Sequence, residues 1–407
     1  MSSAVRICIV SPGFPRWPGD FTHPMVWNLG RLLLQAGYAV RVVTPHYPGT
    51  RTREVMDGIE VRRFRYAWPE RLEVLGSEGG ILDDIRRSPA AKFMLPFFLL
   101  GFALAALRHG RGCAFFLVQW VPTALTVLPA RLLQGKRLFI NSRTYPDTPL
   151  WRRVYGAALR RCDGVVFNSR DNQRATGEVF AHPRSTVIGS GIDPEQFHRP
   201  AGHPRPSQAD GVPRIVLVGR CVEFKGIEYA VRAMPLILAR RPAILEVYGD
   251  GPLLPGLRSL AGELGVGHAV NFHGQVRHDD VPRAMWSGDL FLIPSIVDSL
   301  GRTEGFGAVV LEAMCAGLPV VASRVGGIVD IVSKERGVLV AEKDPGQIAD
   351  AVLSLLDDPA RAAELATRGQ EFARENFSPQ AMLLQYLEFF KGIDPALVPD
   401  RPHEALA

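Results

Sequence analysis

The chain has 407 residues, of which 47% are hydrophobic and 32 are proline, as is typical of a folded protein with two domains and not of a disordered chain. Residues 1–195 carry 26 Lys and Arg against 15 Asp and Glu, a net of +11, whereas residues 196–407 carry 21 against 26, a net of −5. A basic first half suits anionic lipid or a phosphorylated substrate. We expect no nucleic-acid partner, because the sequence has no zinc-finger spacing, RNP-like aromatic motif or basic helix with heptads.

The cysteines and the N-terminus indicate the compartment. Five cysteines are widely spaced and never form a CxxC pair, which argues against a disulfide framework and against a zinc site. The first residues, MSSAVRICIV, pass directly into a strand-like run, so we expect no signal peptide. The sequence therefore favours a reducing, cytoplasmic location.

The first half of the chain alternates between strand and helix patterns. Residues 5–11 predict a strand and residues 24–36 an apolar-periodic helix that ends at Gly37, and further β-rich runs follow at 115–120, 137–142 and 164–169. This pattern is typical of a parallel sheet covered by helices on both faces. We predict a doubly wound, Rossmann-like domain over residues 1–197.

One apolar segment in this half, FMLPFFLLGFALAAL at 93–107, has no charged residue for fifteen positions. A membrane-spanning helix needs about 20 apolar residues, so we expect this one not to cross a bilayer unaided. Two interpretations remain open: a helix buried against the first sheet, or a helix with one face on an anionic membrane. Basic residues flank the segment on both sides: Arg86, Arg87, Lys92, Arg108 and Arg111.

The second half repeats the architecture of the first. A proline-rich stretch at 198–213 predicts a linker, and strand-like runs then alternate with helical ones. We predict a second Rossmann-like domain over 214–376, and a C-terminal helix and tail over 377–407 that packs back on the first domain. The fold class is therefore α/β, with two doubly wound domains facing each other across a cleft and ligands at the carboxyl ends of the strands.

The segment EGFGAVVLEAMCAGLPVV, residues 304–321, places one carboxylate before a predicted helix and another inside it. If the segment were helical throughout, Glu304 and Glu312 would lie about 12 Å apart along the axis, comparable to the distance from hexose to ribose in a nucleotide sugar. Each carboxylate could then accept hydrogen bonds from vicinal hydroxyls. The alternative is that Glu304 is an N-terminal helix charge and Glu312 a surface residue.

The segment VGRCVEFKG, residues 218–226, places Arg220 and Lys225 directly after a predicted strand. Two cations at the carboxyl end of a strand suit a diphosphate and would stabilise it as a leaving group. The segment is not a Walker loop, because Lys225 precedes its glycine and no Ser or Thr follows. The alternative is a pair of exposed bases without a ligand.

With these two segments, the chain resembles family four of the retaining glycosyltransferases, group 1 enzymes of the GT-B fold, over nearly its whole length. YGDGPL at 248–253, NFHGQV at 271–276 and GSGIDPEQF at 189–197 add to the resemblance. It implies a hexosyltransferase with an acceptor-binding first domain and a second domain that binds a UDP- or GDP-linked sugar as substrate.

The resemblance also implies roles for particular residues. Arg220, Lys225 and Glu304 would carry catalysis: the two cations would clamp the diphosphate, and the carboxylate would bind the donor sugar. The backbone of Phe306 and Gly307 would assist, Glu312 would hold the ribose, and Gly274, Gln275 and Val276 would meet the base. A loop with Gly13 and Gly19 would close over the phosphates.

The acceptor side departs from the family pattern. Gln119 and Arg143 stand where members commonly carry His, while Trp120 and Asp147 still fit. The acceptor is expected to be lipid-linked or an oligosaccharide, in surface polysaccharide or glycolipid assembly at the inner face of a membrane.

The sequence has no Asp-x-Asp, so we expect a metal-independent reaction in which Arg220 and Lys225 replace the cation. Two alternatives stay open: a catalytically silent sugar-nucleotide-binding protein, because of Gln119 and Arg143, and a sugar-nucleotide epimerase or phosphorylase of the same fold. A dehydrogenase is weaker, because no GxGxxG follows any strand.

Overall fold

A computed structural model describes residues 5–17, 20, 24–76, 81, 84, 85, 88–146, 148–200, 202 and 204–399. The chain divides into two compact units. The first contains residues 1–168, 172–188 and 382–407, and the second contains residues 169–171 and 189–381.

The first unit is built on an eight-stranded sheet with the strand order β3-β4-β2-β1-β5-β6-β7-β8. All neighbouring strands are parallel except β3, which pairs antiparallel with β4. The strands are β1 (Arg6–Val10), β2 (Ala39–Pro45), β3 (Arg53–Met56), β4 (Ile59–Phe64), β5 (Phe115–Val118), β6 (Arg137–Ser142), β7 (Gly164–Phe167) and β8 (Ser185–Val187).

Helices cover both faces of this sheet, and each face has its own apolar core. The helices are α1 (Pro24–Gln35), α2 (Pro89–His109), α3 (Val121–Gln134), α4 (Pro149–Leu159) and α5 (Arg170–Gly177). Strand β1 is buried from Ile7 to Val10, with alternate side chains in the two cores, as expected for a central parallel strand.

The second unit has a six-stranded, fully parallel sheet with the order β11-β10-β9-β12-β13-β14. The strands are β9 (Arg214–Val218), β10 (Ile244–Tyr248), β11 (Val270–Gly274), β12 (Leu290–Ile293), β13 (Val320–Ser323) and β14 (Val338–Val340). The chain builds outward from β9 in both directions, so the strand order reverses between β9 and β12. Such a reversal opens a ligand-binding crevice at the carboxyl ends of the two strands.

The helices of the second unit are α6 (Pro194–Phe197), α7 (Pro206–Asp210), α8 (Ile227–Leu238), α9 (Leu254–Glu263), α10 (Val281–Trp286), α11 (Ala308–Cys315), α12 (Ile328–Ile331), α13 (Pro345–Asp357) and α14 (Pro359–Phe377). The proline-rich stretch at 198–213 lies within this unit. Arg205 donates to the carbonyls of Asp289 and Gly317 at 2.8 and 2.7 Å, so these contacts tie the stretch to the amino-terminal edge of the sheet.

The last helix, α15 (Pro379–Ile393), crosses from the second unit into the first. From Met382 onward its buried side chains join the core around β1 and β5. Phe390 packs against Phe115 and Phe139, with ring centroids 4.9 and 5.0 Å apart. The C-terminal helix is therefore part of the core of the first unit.

Candidate functional site

A cavity of about 610 Å³ lies at the carboxyl ends of β9, β10 and β11. Parallel strands bring their following loops to one edge of the sheet, so residues distant in sequence meet here. The wall is formed by Val218, Gly219, Arg220, Tyr248, Gly249, Asp250, Gly251, Gln275, Val276 and Val281. The cavity thus contains three of the residues predicted from the sequence: Arg220, Gln275 and Val276.

Glycine at position 249 lets the loops after β9 and β10 approach closely. Gly249 has a φ of 153°, and a Cβ there would lie 1.9 Å from the carbonyl oxygen of Gly219. Its N–H donates to the carbonyl of Gly274 at 2.8 Å, which connects it to the end of β11. A side chain at position 249 would therefore push the cavity wall apart.

Lys225 lies on a short 3-10 helix, Glu223–Lys225, between β9 and α8. Its ammonium group forms an ion pair with the carboxylate of Glu304, in the loop after β12. The Lys225 and Glu304 side chains are only 16% and 14% exposed. The pair joins the two loops that flank the strand-order reversal, the place where the fold opens a ligand crevice.

The backbone around Glu304 is held by the turn before α12. The N–H of Gly327 donates to the carbonyl of Glu304 at 2.9 Å. Gly326 has a φ of 50°, and a Cβ there would lie 2.1 Å from that same carbonyl oxygen. The position of Glu304 is therefore set by a loop from β13, which the sequence did not indicate.

Glu304 lies outside the following helix, because Gly307 has a φ of 83° and α11 begins at Ala308. The prediction of one carboxylate before a helix and another inside it is confirmed, but the segment is not helical throughout, so the 12 Å axial span does not apply. Glu312 lies inside α11 and is half-buried, so it is not the exposed surface residue of the alternative. Burial raises the pKa of Glu312 to about 7, and the nearby charge of Lys225 opposes this shift.

Lys225 therefore interacts with both carboxylates. It forms an ion pair with Glu304, and its positive charge opposes the rise that burial causes in the pKa of Glu312. Arg220 is exposed and lines the cavity, whereas Lys225, Glu304 and Glu312 do not line it. Lys225 is next to the cavity wall, since a Cβ at Gly219 would lie 3.5 Å from its side chain. Phe306 is buried and packs against Phe377 at 5.7 Å between ring centroids, so its side chain anchors the loop.

A polar network supports the far side of the cavity. Tyr248 stacks on His273 with ring centroids 4.2 Å apart and the planes 7° from parallel. His273 contacts the buried carboxylate of Glu246 at 2.6 Å, and the Tyr248 hydroxyl contacts Ser287 at 2.8 Å. Burial raises the pKa of Tyr248. The motif YGDGPL contains Tyr248 and the motif NFHGQV contains His273, but neither motif indicates that the two rings stack.

In the first unit, Trp120 and Arg143, which were predicted to contact the acceptor, lie near the carboxyl ends of β5 and β6. Trp120 precedes α3, and its ring lies 5.9 Å from that of Trp151. Arg143 follows β6, and its charge opposes the raised pKa that burial gives to Tyr386. Buried Gln119 accepts a hydrogen bond from Asn141 at 3.0 Å.

Two predicted site residues, Gly19 and Asp147, lie outside the described residues. Within the described ranges, no three His, Cys, Asp or Glu side chains come together as a set that could hold a metal ion.

Two family models match the chain. Residues 24–196 match the model described as Glycosyltransferase Family 4, and residues 212–358 match the model described as Glycosyl transferases group 1.

Two of the curated relatives that are similar in sequence illustrate the comparison. An uncharacterized glycosyltransferase of Methanocaldococcus jannaschii is 43% identical over 209 residues, which cover 48% of this chain and 51% of that protein. The GDP-mannose-dependent alpha-(1-6)-phosphatidylinositol monomannoside mannosyltransferase of Mycobacterium tuberculosis is 31% identical over 404 residues, which cover 96% of this chain and 99% of that enzyme.

Two of the solved structures that are similar in fold illustrate the comparison. Sucrose-phosphate synthase from Thermosynechococcus elongatus has a TM-score of 0.74 at 22% identity, with 96% of this chain and 100% of that chain covered. Anabaena HepE in complex with UDP and glucose has a TM-score of 0.70 at 18% identity, with 95% and 100% covered. The predicted fold class, two α/β units with parallel sheets as in GT-B proteins, is confirmed.

Proposed function

This chain belongs to the group 1, family-four glycosyltransferases, and we propose that it transfers a hexosyl group from a nucleotide diphosphate sugar to an acceptor hydroxyl. We propose further that the transfer retains the anomeric configuration and needs no metal ion. The nucleotide sugar is a substrate in this proposal, and no separate cofactor takes part.

The observation that carries the proposal is the Lys225–Glu304 ion pair beside the cavity that Arg220 lines. The pair fixes the lysine at the strand-order reversal before any ligand arrives, and preorganised charge lowers the cost of stabilising a leaving group. A diphosphate in the cavity would meet Arg220 and Lys225 together. Glu304 would then accept hydrogen bonds from hydroxyls of the transferred sugar.

The remaining donor contacts follow from the loops around the cavity. Gln275 and Val276 line it after β11, so we assign the base to this side, next to Tyr248. Glu312 would accept the ribose hydroxyls, and the backbone amides of Phe306 and Gly307 would face the sugar. Known relatives differ in donor: the mycobacterial relative uses GDP-mannose, and HepE was solved with UDP and glucose.

The chemistry we propose uses the leaving phosphate as the base. As the bond from the sugar to the phosphate breaks, positive charge develops on the anomeric carbon and negative charge on the diphosphate. Arg220 and Lys225 would stabilise that negative charge, while the phosphate oxygen takes the proton of the acceptor hydroxyl on the same face. Retention follows, because attack and departure share one face of the sugar.

We assign the acceptor to the first unit, at the carboxyl edge of its sheet. Three buried polar atoms there, Thr44 Oγ1, Gln119 Nε2 and Ser142 Oγ, have no hydrogen-bond partner among the described residues. They lie at or near the ends of β2, β5 and β6, the edge of the sheet to which we assign the acceptor. Trp120 would pack on the acceptor, Arg143 would bind a phosphate on it, and Asp147 is proposed from the sequence alone.

A lipid-linked or oligosaccharide acceptor fits these contacts, and the mycobacterial relative is a phosphatidylinositol monomannoside mannosyltransferase. We propose that the enzyme works in the cytoplasm, peripheral to the inner face of the membrane, in polysaccharide or glycolipid assembly.

One experiment separates this proposal from a catalytically silent sugar-nucleotide-binding protein and from an epimerase. The chain is incubated with UDP- and GDP-linked hexoses, with and without lipid-phosphate acceptors and in the presence of a chelator. Acceptor-dependent release of nucleoside diphosphate supports a metal-independent transferase. Binding without release supports the silent protein, and a changed sugar still attached to its nucleotide supports the epimerase.

A further inference from the structure

Helix α2 has two apolar faces, and within the described part of the chain only one of them is covered. It runs for 21 residues from Pro89 to His109, longer than the segment 93–107 indicated, because Ser88 caps it and Pro89 begins its first turn. By length and composition alone it is the one described helix that would suffice to cross a membrane. The length argument against a membrane span therefore does not hold for this helix.

One face of α2 belongs to the core of the first unit. Its buried residues are Ala91, Met94, Phe98, Phe102, Ala105 and Ala106. Phe102 and Phe98 pack against Phe64 on β4, with ring centroids 4.6 and 6.1 Å apart. A helix that crossed a bilayer would have to leave these contacts, so α2 lies along the unit and does not span.

The opposite face of α2 is exposed and equally apolar. At about 100° per residue, Phe93, Phe97, Leu100 and Leu104 form one stripe opposite Phe98. They are 69%, 49%, 56% and 56% exposed. We call these four residues the outer face of α2. Adjacent exposed apolar side chains on one helix are uncommon at a free surface and mark an interaction site.

Basic residues surround the outer face, and α2 contains no acidic residue. Lys92 is exposed near its start, and Arg108 is exposed at its end. At that end, burial together with the charges of Arg62, Arg41, Arg108 and Arg53 lowers the pKa of His109 to about 4. Glu60 pairs with Arg41 and Arg62 and partly balances this cluster.

We infer that the outer face of α2, with Lys92 and Arg108 at its two ends, binds the surface of an anionic lipid bilayer. The four apolar side chains would enter the headgroup boundary, while the basic ends contact lipid phosphates. A second copy of the chain suits this surface less. Two stacked α2 helices would bring their basic ends together in either direction, and like charges in contact oppose association.

This inference rests on the proposed function for its biological meaning, because a lipid-linked acceptor would bring the enzyme to a membrane. The binding itself is independent of catalysis. Vesicle binding and donor turnover are therefore measured separately on the same full-length protein, and either one can fail while the other stands.

The test is cosedimentation with vesicles of phosphatidylcholine alone or mixed with phosphatidylglycerol. We expect binding to the mixed vesicles at low salt, weaker binding to the neutral ones, and release as salt rises. The triple variant Phe97→Ser, Leu100→Ser, Leu104→Ser should weaken binding at least tenfold. Lys92→Gln and Arg108→Gln should each weaken it about fivefold.

Matched controls lie on α8 of the second unit. Leu236→Ser removes a leucine of similar exposure, and Arg240→Gln removes an exposed arginine just after the helix, so both should bind vesicles like the wild type. Urea unfolding checks that each variant is folded, and if the triple variant is not, the two charge variants and the salt series still decide the question.

Several outcomes would overturn the inference. One is a folded wild-type protein that binds no vesicle at low salt, and another is a triple variant that binds as tightly as the wild type. Equal binding to neutral and anionic vesicles would remove the role of Lys92 and Arg108. A dimer that the triple variant abolishes, without vesicle binding, would assign the outer face to a second copy.

Discussion

Lys225 offers the sharpest test of the site. Lys225→Met removes the cation that pairs with Glu304 and acts on Glu312, and it keeps a side chain of similar length. Loss of one positioned charge from a developing leaving group typically costs on the order of 10²- to 10³-fold in turnover. We expect hexosyl transfer to fall by about 10²-fold or more, and Glu304→Ala to cause a loss of similar size.

Stability should respond differently from catalysis. Lys225→Met alone leaves the partly buried carboxylate of Glu304 without its cation, which should lower the free energy of unfolding by about 1–3 kcal/mol. In the double variant Lys225→Met, Glu304→Gln neither charge is left alone. Its loss should therefore be smaller than the sum of the two single losses by about 1 kcal/mol or more. Transfer should stay as low as in the single variants.

The assay is steady-state release of nucleoside diphosphate in the presence of acceptor, with urea unfolding on the same preparations. Lys334→Met removes an exposed lysine elsewhere in the second unit and should change neither quantity. Turnover near the wild-type value in both Lys225→Met and Glu304→Ala would refute the assignment of the site.

Three further predictions concern other contacts. Relative to the wild type, Glu312→Gln should become more stable as the pH rises from about 4.5 to about 7, by up to the order of 3 kcal/mol, because burial raises the pKa of Glu312 in the folded state and so penalises its ionisation. A stability difference that stays constant with pH in urea unfolding would contradict this. Arg143→Ala should raise the acceptor KM more than the donor KM, while Arg153→Ala, on an exposed part of α4, should alter neither; equal effects on both substrates would count against acceptor binding. Gly249→Ala should lower the free energy of unfolding by about 3 kcal/mol, because of the φ of Gly249 and its close contact with Gly219. Gly256→Ala, in α9 with open space around it, should instead raise that free energy by up to about 1 kcal/mol, and thermal unfolding compares the two variants.

The sequence could predict the meeting of Lys225 and Glu304 because parallel strands end at one edge. Each residue follows its own strand, β9 or β12, and those strands are neighbours in the sheet. The burial of Glu312 was not predictable in the same way. Its position on a helix follows from the sequence, but the walls that exclude water from it come from other elements.

Local backbone geometry explains two further features of the structure that the hydrophobic pattern of the sequence does not indicate. The left-handed Gly307 delays the start of α11, and no apolar pattern indicates that. The hairpin of β3 and β4 turns at Asp57 and Gly58, which have φ values of 48° and 82°. An Asp-Gly pair between two strand-like runs is a sequence signal for a hairpin.

The faces of α2 could not be distinguished from the sequence. Because nearly every position between 93 and 107 is apolar, no periodicity separates the side that meets Phe64 from the side that meets solvent. The stacking of Tyr248 on His273 was equally out of reach, since it depends on the pairing of β10 with β11.

The central claim is that Arg220 and Lys225 bind the diphosphate of the donor. Isothermal titration isolates the contribution of the two cations to diphosphate binding. The wild type, Arg220→Ala and Lys225→Met are each titrated with a nucleoside and with the matching nucleoside diphosphate. The account predicts that the wild type binds the diphosphate at least tenfold more tightly than the nucleoside, and that each variant loses most of this difference while its nucleoside affinity stays the same. A preference for the diphosphate that survives in both variants would contradict it.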